Sequence, residues 1–223
     1  MNHVKDILKG ILAGIAISFG GFLCIRTNAI ASNTILGSFL FSFGLILICN
    51  FGFNLYTGKV CYLFDESEKT LSQRYLYLLE ILLGNVLGTL FFSFILKISM
   101  ADNQINKLVL ASLKSSVEAK IGYEWYQMVG LSFFCGMLVY IAVEGFKKID
   151  NQFGKYVVLM LAIGGFIVSG FEHSIANMFY YFLSGNFSLM AILSLILCVI
   201  GNSFGGLFIP LINMIINKKQ EEK

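Results

Sequence analysis

The sequence predicts an all-α membrane protein of six transmembrane helices, arranged as two inverted three-helix repeats with the second and fifth helices broken. Three observations carry that expectation. The 223 residues are 57% hydrophobic and only 13% charged, with a mean hydropathy of +0.78, a balance foreign to water-soluble domains and suited to lipid. Charged residues gather in short stretches between apolar runs long enough to cross a hydrocarbon core, which takes about 20 helical residues. Glycine-centred patterns in the first half also recur, in order, in the second.

The apolar runs fall at about 7–25, 35–64, 75–99, 125–146, 156–183 and 187–216, and the whole chain, 1–223, reads as one transmembrane domain. Helices are expected because lipid cannot satisfy an open backbone, and the period-two alternation of barrel strands is absent. The first run follows Lys5 and Lys9 as a signal peptide would. Its small residues, Gly10, Gly14, Gly20 and Gly21, spread along the run as in packed membrane helices, and no polar domain follows, so it reads as a span. The second and fifth runs are too long for simple spans, and each carries polar residues in its middle. The second reads Asn50-Phe51-Gly52-Phe53-Asn54-Leu55-Tyr56-Thr57-Gly58-Lys59, and the fifth Ser169-Gly170-Phe171-Glu172-His173-Ser174-Ile175-Ala176-Asn177-Met178. Such interruptions are tolerated only where the backbone lines a cavity or is covered by protein.

Gly10, Gly52-Phe53-Asn54 and Gly84-Asn85-Val86-Leu87-Gly88 find counterparts in Gly130, Gly170-Phe171-Glu172 and Gly201-Asn202-Ser203-Phe204-Gly205, at offsets of 120, 118 and 117 residues. The repeats then run about 7–99 and 125–216. An odd number of spans per repeat forces the halves into opposite orientations, as in many transport folds. Two helices broken at matching positions mark a midplane site. Half-helix N-termini carry unpaired N–H groups and partial positive charge, so the site favours an anion.

Basic residues set the orientation. With the N-terminus in the cytoplasm, Lys5, Lys9, Lys59, Lys69, Arg74, Lys147, Lys148, Lys155, Lys218, Lys219 and Lys223 fall inside, against Arg26, Lys97, Lys107, Lys114 and Lys120 outside, which favours both termini inside a cytoplasmic membrane. No basic tract with interleaved aromatics suggests nucleic acid. The five cysteines lack metal-ligand spacing and read as small buried hydrophobes. No metal and no cofactor are expected.

His173 is one of two histidines, and the other, His3, is terminal. An ionisable residue in mid-membrane is costly and is by default a functional candidate. Asn177 follows one helical turn later, placed to bond the ring or a permeant. Glu172 cannot share that face and is expected to take backbone N–H groups at the break, with a surface salt bridge as the plainer alternative. Ser174 adjoins His173, but neighbouring helical residues point about 100° apart, so the pair cannot form a nucleophile and no enzyme is expected.

The string from Ser169 to Met178 resembles the signature of the formate/nitrite transporter family, and residues 7–215 follow that family's layout. Leu55-Tyr56-Thr57-Gly58 is similar to its Leu-Phe-Thr loop. The resemblance implies a homopentamer of aquaporin-like protomers, each with its own pore for small monovalent anions and protons across the lipid bilayer. By the same resemblance His173 is the central pore histidine, Thr57 the loop threonine facing it, and Lys120 the basic residue of the outer vestibule. Phe41, Leu45, Leu55 and Phe166 are then the apolar constrictions, and Asn177 and Asn202 the asparagines near the histidine. Two departures bear on the substrate. Gly136 stands where many relatives have an asparagine, and Lys59 adds a positive charge near the inner mouth, which leaves formate, nitrite and hydrosulfide open as permeants. A neutral-solute pore or a non-conducting membrane subunit are the competing classes.

Overall fold

The computed structural model describes residues 3–65 and 70–221, so that Lys69 and Lys223 of the charge tally lie outside the described residues. All regular structure among the described residues is helical. Helix α1 (His3–Ala31) leads through a short turn to α2 (Thr34–Phe51), whose N-terminus is capped by the Asn33 side chain accepting from Leu36 N. After a break comes the short α3 (Tyr56–Lys59), continued by a 3-10 turn over Val60–Tyr62. Helix α4 (Leu71–Ser99) opens on a capping box between Thr70 and Gln73. Then follow α5 (Gln104–Ile121), α6 (Trp125–Lys148), α7 (Gln152–Val168), the short α8 (Ser174–Ser184) and α9 (Leu189–Glu221).

Five of these, α1, α2, α4, α6 and α9, are long and apolar enough to cross a membrane. The remaining crossing is assembled from α7 and α8, so the second and fifth spans are broken as expected. Both breaks begin at a glycine in the left-handed region, Gly52 (φ 65°) and Gly170 (φ 71°), a conformation that reverses the helix without the strain a Cβ would bring. The stretch between the third and fourth spans, expected as a connection, instead holds α5. Its Val109, Leu113 and Val117, four residues apart, are buried.

The two halves pack alike: α1 lies against α4 and α2, and α6 against α9 and α7. The short helices cross over, α8 packing on α4 of the first half and α3 on α6 and α9 of the second. Close approach of the long helices depends on glycine. A Cβ on Gly88 would stand 2.1 Å from Ile11 O, and one on Gly205 1.8 Å from Phe133 O.

These contacts correct one expected pairing. Gly130 has open space around it, whereas Gly14 and Gly136 occupy matching places, their Cβ positions 2.4 Å from Asn85 O and 2.3 Å from Asn202 O. The first span of each repeat therefore aligns Gly14 with Gly136, and Gly10 with Ser132, not Gly10 with Gly130. Gly136 is also no vacated hydrogen-bonding position in a pore. It lies in the α6–α9 seam, where a larger side chain would meet backbone.

Candidate functional site

Each break is tied down by one buried asparagine from the span that follows. In the first half Asn85 Oδ1 accepts from Tyr56 N (2.9 Å), while its Nδ2 donates to Gly10 O (2.8 Å) and Asn54 O (2.9 Å). In the second half Asn202 Oδ1 accepts from Ser174 N (2.8 Å), and its Nδ2 donates to Ser132 O (2.8 Å) and Glu172 O (2.9 Å). One amide thus satisfies two backbone groups of each break and ties them to a carbonyl of the unbroken helix alongside, Gly10 O in α1 or Ser132 O in α6. Asn202, expected near the histidine as a pore residue, has this full set of backbone partners behind the break. Asn85, at the same spacing from Asn202 as the surrounding glycine motifs, is its counterpart at the first break.

His173 is the N-cap of α8: its Nδ1 accepts from Ala176 N (3.1 Å). Because Nδ1 accepts, the proton of the neutral ring sits on Nε2, which faces Thr57 Oγ1 at 2.9 Å. Nε2–H therefore donates to the threonine, and the two broken helices meet in this one hydrogen bond. Both residues are buried, at 3% and 0% exposure.

For each of two neighbours, one of the two expected roles is set aside. Asn177 does not reach the ring; its Nδ2 donates to Glu172 Oε2 (2.7 Å). Glu172 does not collect backbone N–H groups, because those of Ser174 and Ala176 are already taken by Asn202 and His173. Its carboxylate instead receives Lys120 Nζ at 2.7 and 2.6 Å, a buried ion pair joining α5 to the break, with Lys120 also 5.8 Å from the Tyr180 ring.

Cavities approach this centre from two sides. On the α5 side a space of about 200 Å³ is lined by Phe41, Phe166, Lys120, Glu172, His173 and Asn177, among others. The Phe41 and Phe166 rings meet edge to face at 5.9 Å, and Phe166 stacks on the His173 imidazole at 5.8 Å. On the α3 side a space of about 90 Å³ is lined by Leu55, Gly58, Lys59, Val143, Phe146 and Lys147, among others. Thr57 lies between Leu55 and Gly58. Leu45 and Leu55 are buried, at 1% and 2% exposure. Tyr180, Ser112 and Ser116, which line the α5-side cavity, went unnoticed in the sequence because only the fold brings α5 over the break.

A helical membrane protein whose two half-helices converge on a buried histidine between two cavities has the build of a channel or transporter. The sequence model of the formate/nitrite transporter family matches residues 1–215, and the chain belongs to that family. Its relatives include formate channel FocA of Haemophilus influenzae, 27% identical over 182 residues that make up 78% of this chain and 64% of that protein. Formate channel FocB of Escherichia coli is 29% identical over 186 residues, 80% of this chain and 66% of that one. The matches thus span just under two thirds of those channels' length. A probable formate transporter of Methanothermobacter thermautotrophicus is 28% identical over 233 residues, 91% of this chain and 84% of its own. Among solved structures, a pentameric formate channel with formate bound superposes with a TM-score of 0.86 at 24% identity, covering 96% of this chain and 97% of that one.

Proposed function

We propose that this protein is a channel passing small monovalent weak-acid anions, formate foremost, through each protomer of a homopentamer in the cytoplasmic membrane, with both termini inside. The observation that carries the reading is the Thr57–His173 hydrogen bond, set between two cavities with Phe41 and Phe166 on one side and Leu55 on the other. Membership of a family whose named relatives are formate channels supports formate.

A bare anion crossing an apolar slit pays a desolvation penalty that protonation removes. In the proposed passage a formate ion loses its water in one cavity, takes a proton from solvent there, and crosses as neutral formic acid. It returns the proton to water on the far side, so one proton moves with each anion. His173 acts as the orienting donor when its Nε2–H turns from Thr57 Oγ1 to the permeant. A second proton on the ring would have to displace the Ala176 N–H bond at Nδ1, which is the reason solvent is assigned as the proton source.

Uptake by liposomes holding purified protein tests this, with formate, nitrite, hydrosulfide, acetate, chloride and glycerol compared across pH. Formate flux is expected to exceed that of empty liposomes and to rise as pH falls. Formate uptake no faster than through protein-free liposomes overturns the reading, and glycerol flux alone would favour a neutral-solute pore. A His173→Phe variant should lose rate or selectivity while keeping the pH trend, since the proton is drawn from water.

A further inference from the structure

We propose that the α3-side cavity is a second anion-binding site, centred on Lys59 and separate from the Lys120 cavity, and that it sets the affinity for anions arriving from that face. The proposal rests on the reading of the chain as an anion pathway and deepens it.

The two cavities carry lysines in opposite electrical states. Lys120 is neutralised by Glu172 at 2.6 Å, so the α5-side cavity holds a paired cation. Lys59, half-buried at the end of α3, forms no ion pair or side-chain hydrogen bond among the described residues, and no carboxylate lines the α3-side cavity with it. Asp65 borders a neighbouring space with Lys59 and Arg74 without forming an ion pair with Lys59, and Glu144 is engaged by Lys147 (3.5 Å), Lys148 (3.1 Å) and the Tyr62 hydroxyl. Lys147 shares the cavity but lies over the Tyr62 ring at 4.0 Å, and together with Lys9 it adds to the positive field around Lys59. The ammonium of Lys59 is therefore the charge left for a mobile anion to meet.

The walls suit that task. Ile48, Phe53, Leu55, Val143 and Phe146 are apolar, and low-dielectric walls concentrate the field of a single charge along a cleft. A space of about 90 Å³ has room for a few water molecules, the scale of an anion of three heavy atoms. Leu55 and Gly58, which flank Thr57, are among its lining residues, so an anion held there stands next to the Thr57–His173 centre.

Proteoliposomes with the protein fixed in one orientation allow formate to be presented to each face separately. Lys59→Met is expected to raise the half-saturation concentration about three- to tenfold from the Lys59 face at low ionic strength, the effect of one charge acting across a partly hydrated cavity. The change should be far smaller from the opposite face and should shrink as salt is raised, and Lys59→Arg should retain wild-type behaviour. A second measurement needs no flux. In solubilised wild-type protein, formate should slow modification of Lys59 by trinitrobenzene sulfonate, read by peptide mapping. If wild type carries no formate, the pathway reading fails, while protection of Lys59 still decides the site. If formate flows but Lys59→Met leaves both half-saturation values unchanged, or formate does not protect Lys59, the site is refuted and the pathway stands.

Discussion

Replacing Lys120 by methionine isolates the carboxylate that, among the described residues, the fold buries most deeply. Glu172 is 2% exposed, and its oxygens receive two contacts from Lys120 Nζ, at 2.7 and 2.6 Å, and one from Asn177 Nδ2 at 2.7 Å. Lys120→Met keeps the length of the side chain and leaves the carboxylate with a single neutral donor. Breaking a buried ion pair from one side costs about 3–5 kcal/mol, because the remaining charge has lost its compensation. At about 2–4 °C per kcal/mol for a chain of this size, the melting midpoint should fall by about 6–20 °C. The double variant Lys120→Met/Glu172→Gln removes both charges and keeps an acceptor for Asn177, so it should recover most of the loss. Glu172→Gln alone strands an ammonium whose side chain is 16% exposed and can turn toward cavity water, so its deficit should be the smaller of the two single variants. Thermal unfolding in detergent, followed by size-exclusion chromatography of heated samples, reads all four proteins. A Lys120→Met midpoint within about 2 °C of wild type, or a double variant no better than the single one, would refute the assignment of Lys120 as the partner of a buried charge.

Gly205→Ala places a methyl group, in its ideal position, 1.8 Å from Phe133 O, against backbone that cannot yield, so folded protein should be lost, whereas Gly130→Ala enters open space and should behave as wild type on a sizing column. Asn202→Leu orphans Ser174 N, at about 1–3 kcal/mol for a buried group, and takes a donor from Ser132 O and Glu172 O, which keep the α6 ladder and Cys198 Sγ as partners, so it should lower the melting midpoint more than His173→Phe does. Phe41→Ala removes one of the two rings meeting at 5.9 Å beside His173, and in liposome uptake the acetate-to-formate flux ratio should rise; an unchanged ratio would place the size filter elsewhere.

Part of this architecture was legible because it is written in local chemistry. A polar stretch inside an apolar run signals a broken helix wherever it occurs, and Gly52 and Gly170 mark the two breaks by the one conformation that favours glycine. Asn85 and Asn202 share the register of their motifs because each performs the same capping task 117 residues apart. Helix α5 escaped notice for the opposite reason. Its apolar residues form a narrow stripe on an otherwise polar helix, a pattern invisible to a search for long apolar runs. The glycine register of α1 and α6 was misread because close helix contact requires a small residue, and Ser132 serves where Gly10 does in the first half.

The electrostatics of the site lay furthest from the sequence. Residue types alone suggest that Lys120 attracts anions and that Glu172 caps a broken helix, and each assignment is reasonable for an isolated side chain. The fold brings these residues together across 52 positions, and the short α8 has already supplied its own caps through Asn202 and His173. A carboxylate without backbone donors and a lysine at a buried mouth then have one another as the available partners, and the pair forms. Its formation removes the attracting charge from the α5 side and leaves Lys59, on the α3 side, as the cation that can act on a mobile anion. The same pseudo-symmetric breaks therefore face their two cavities with unequal charge, an asymmetry that the repeat pattern by itself would have argued against.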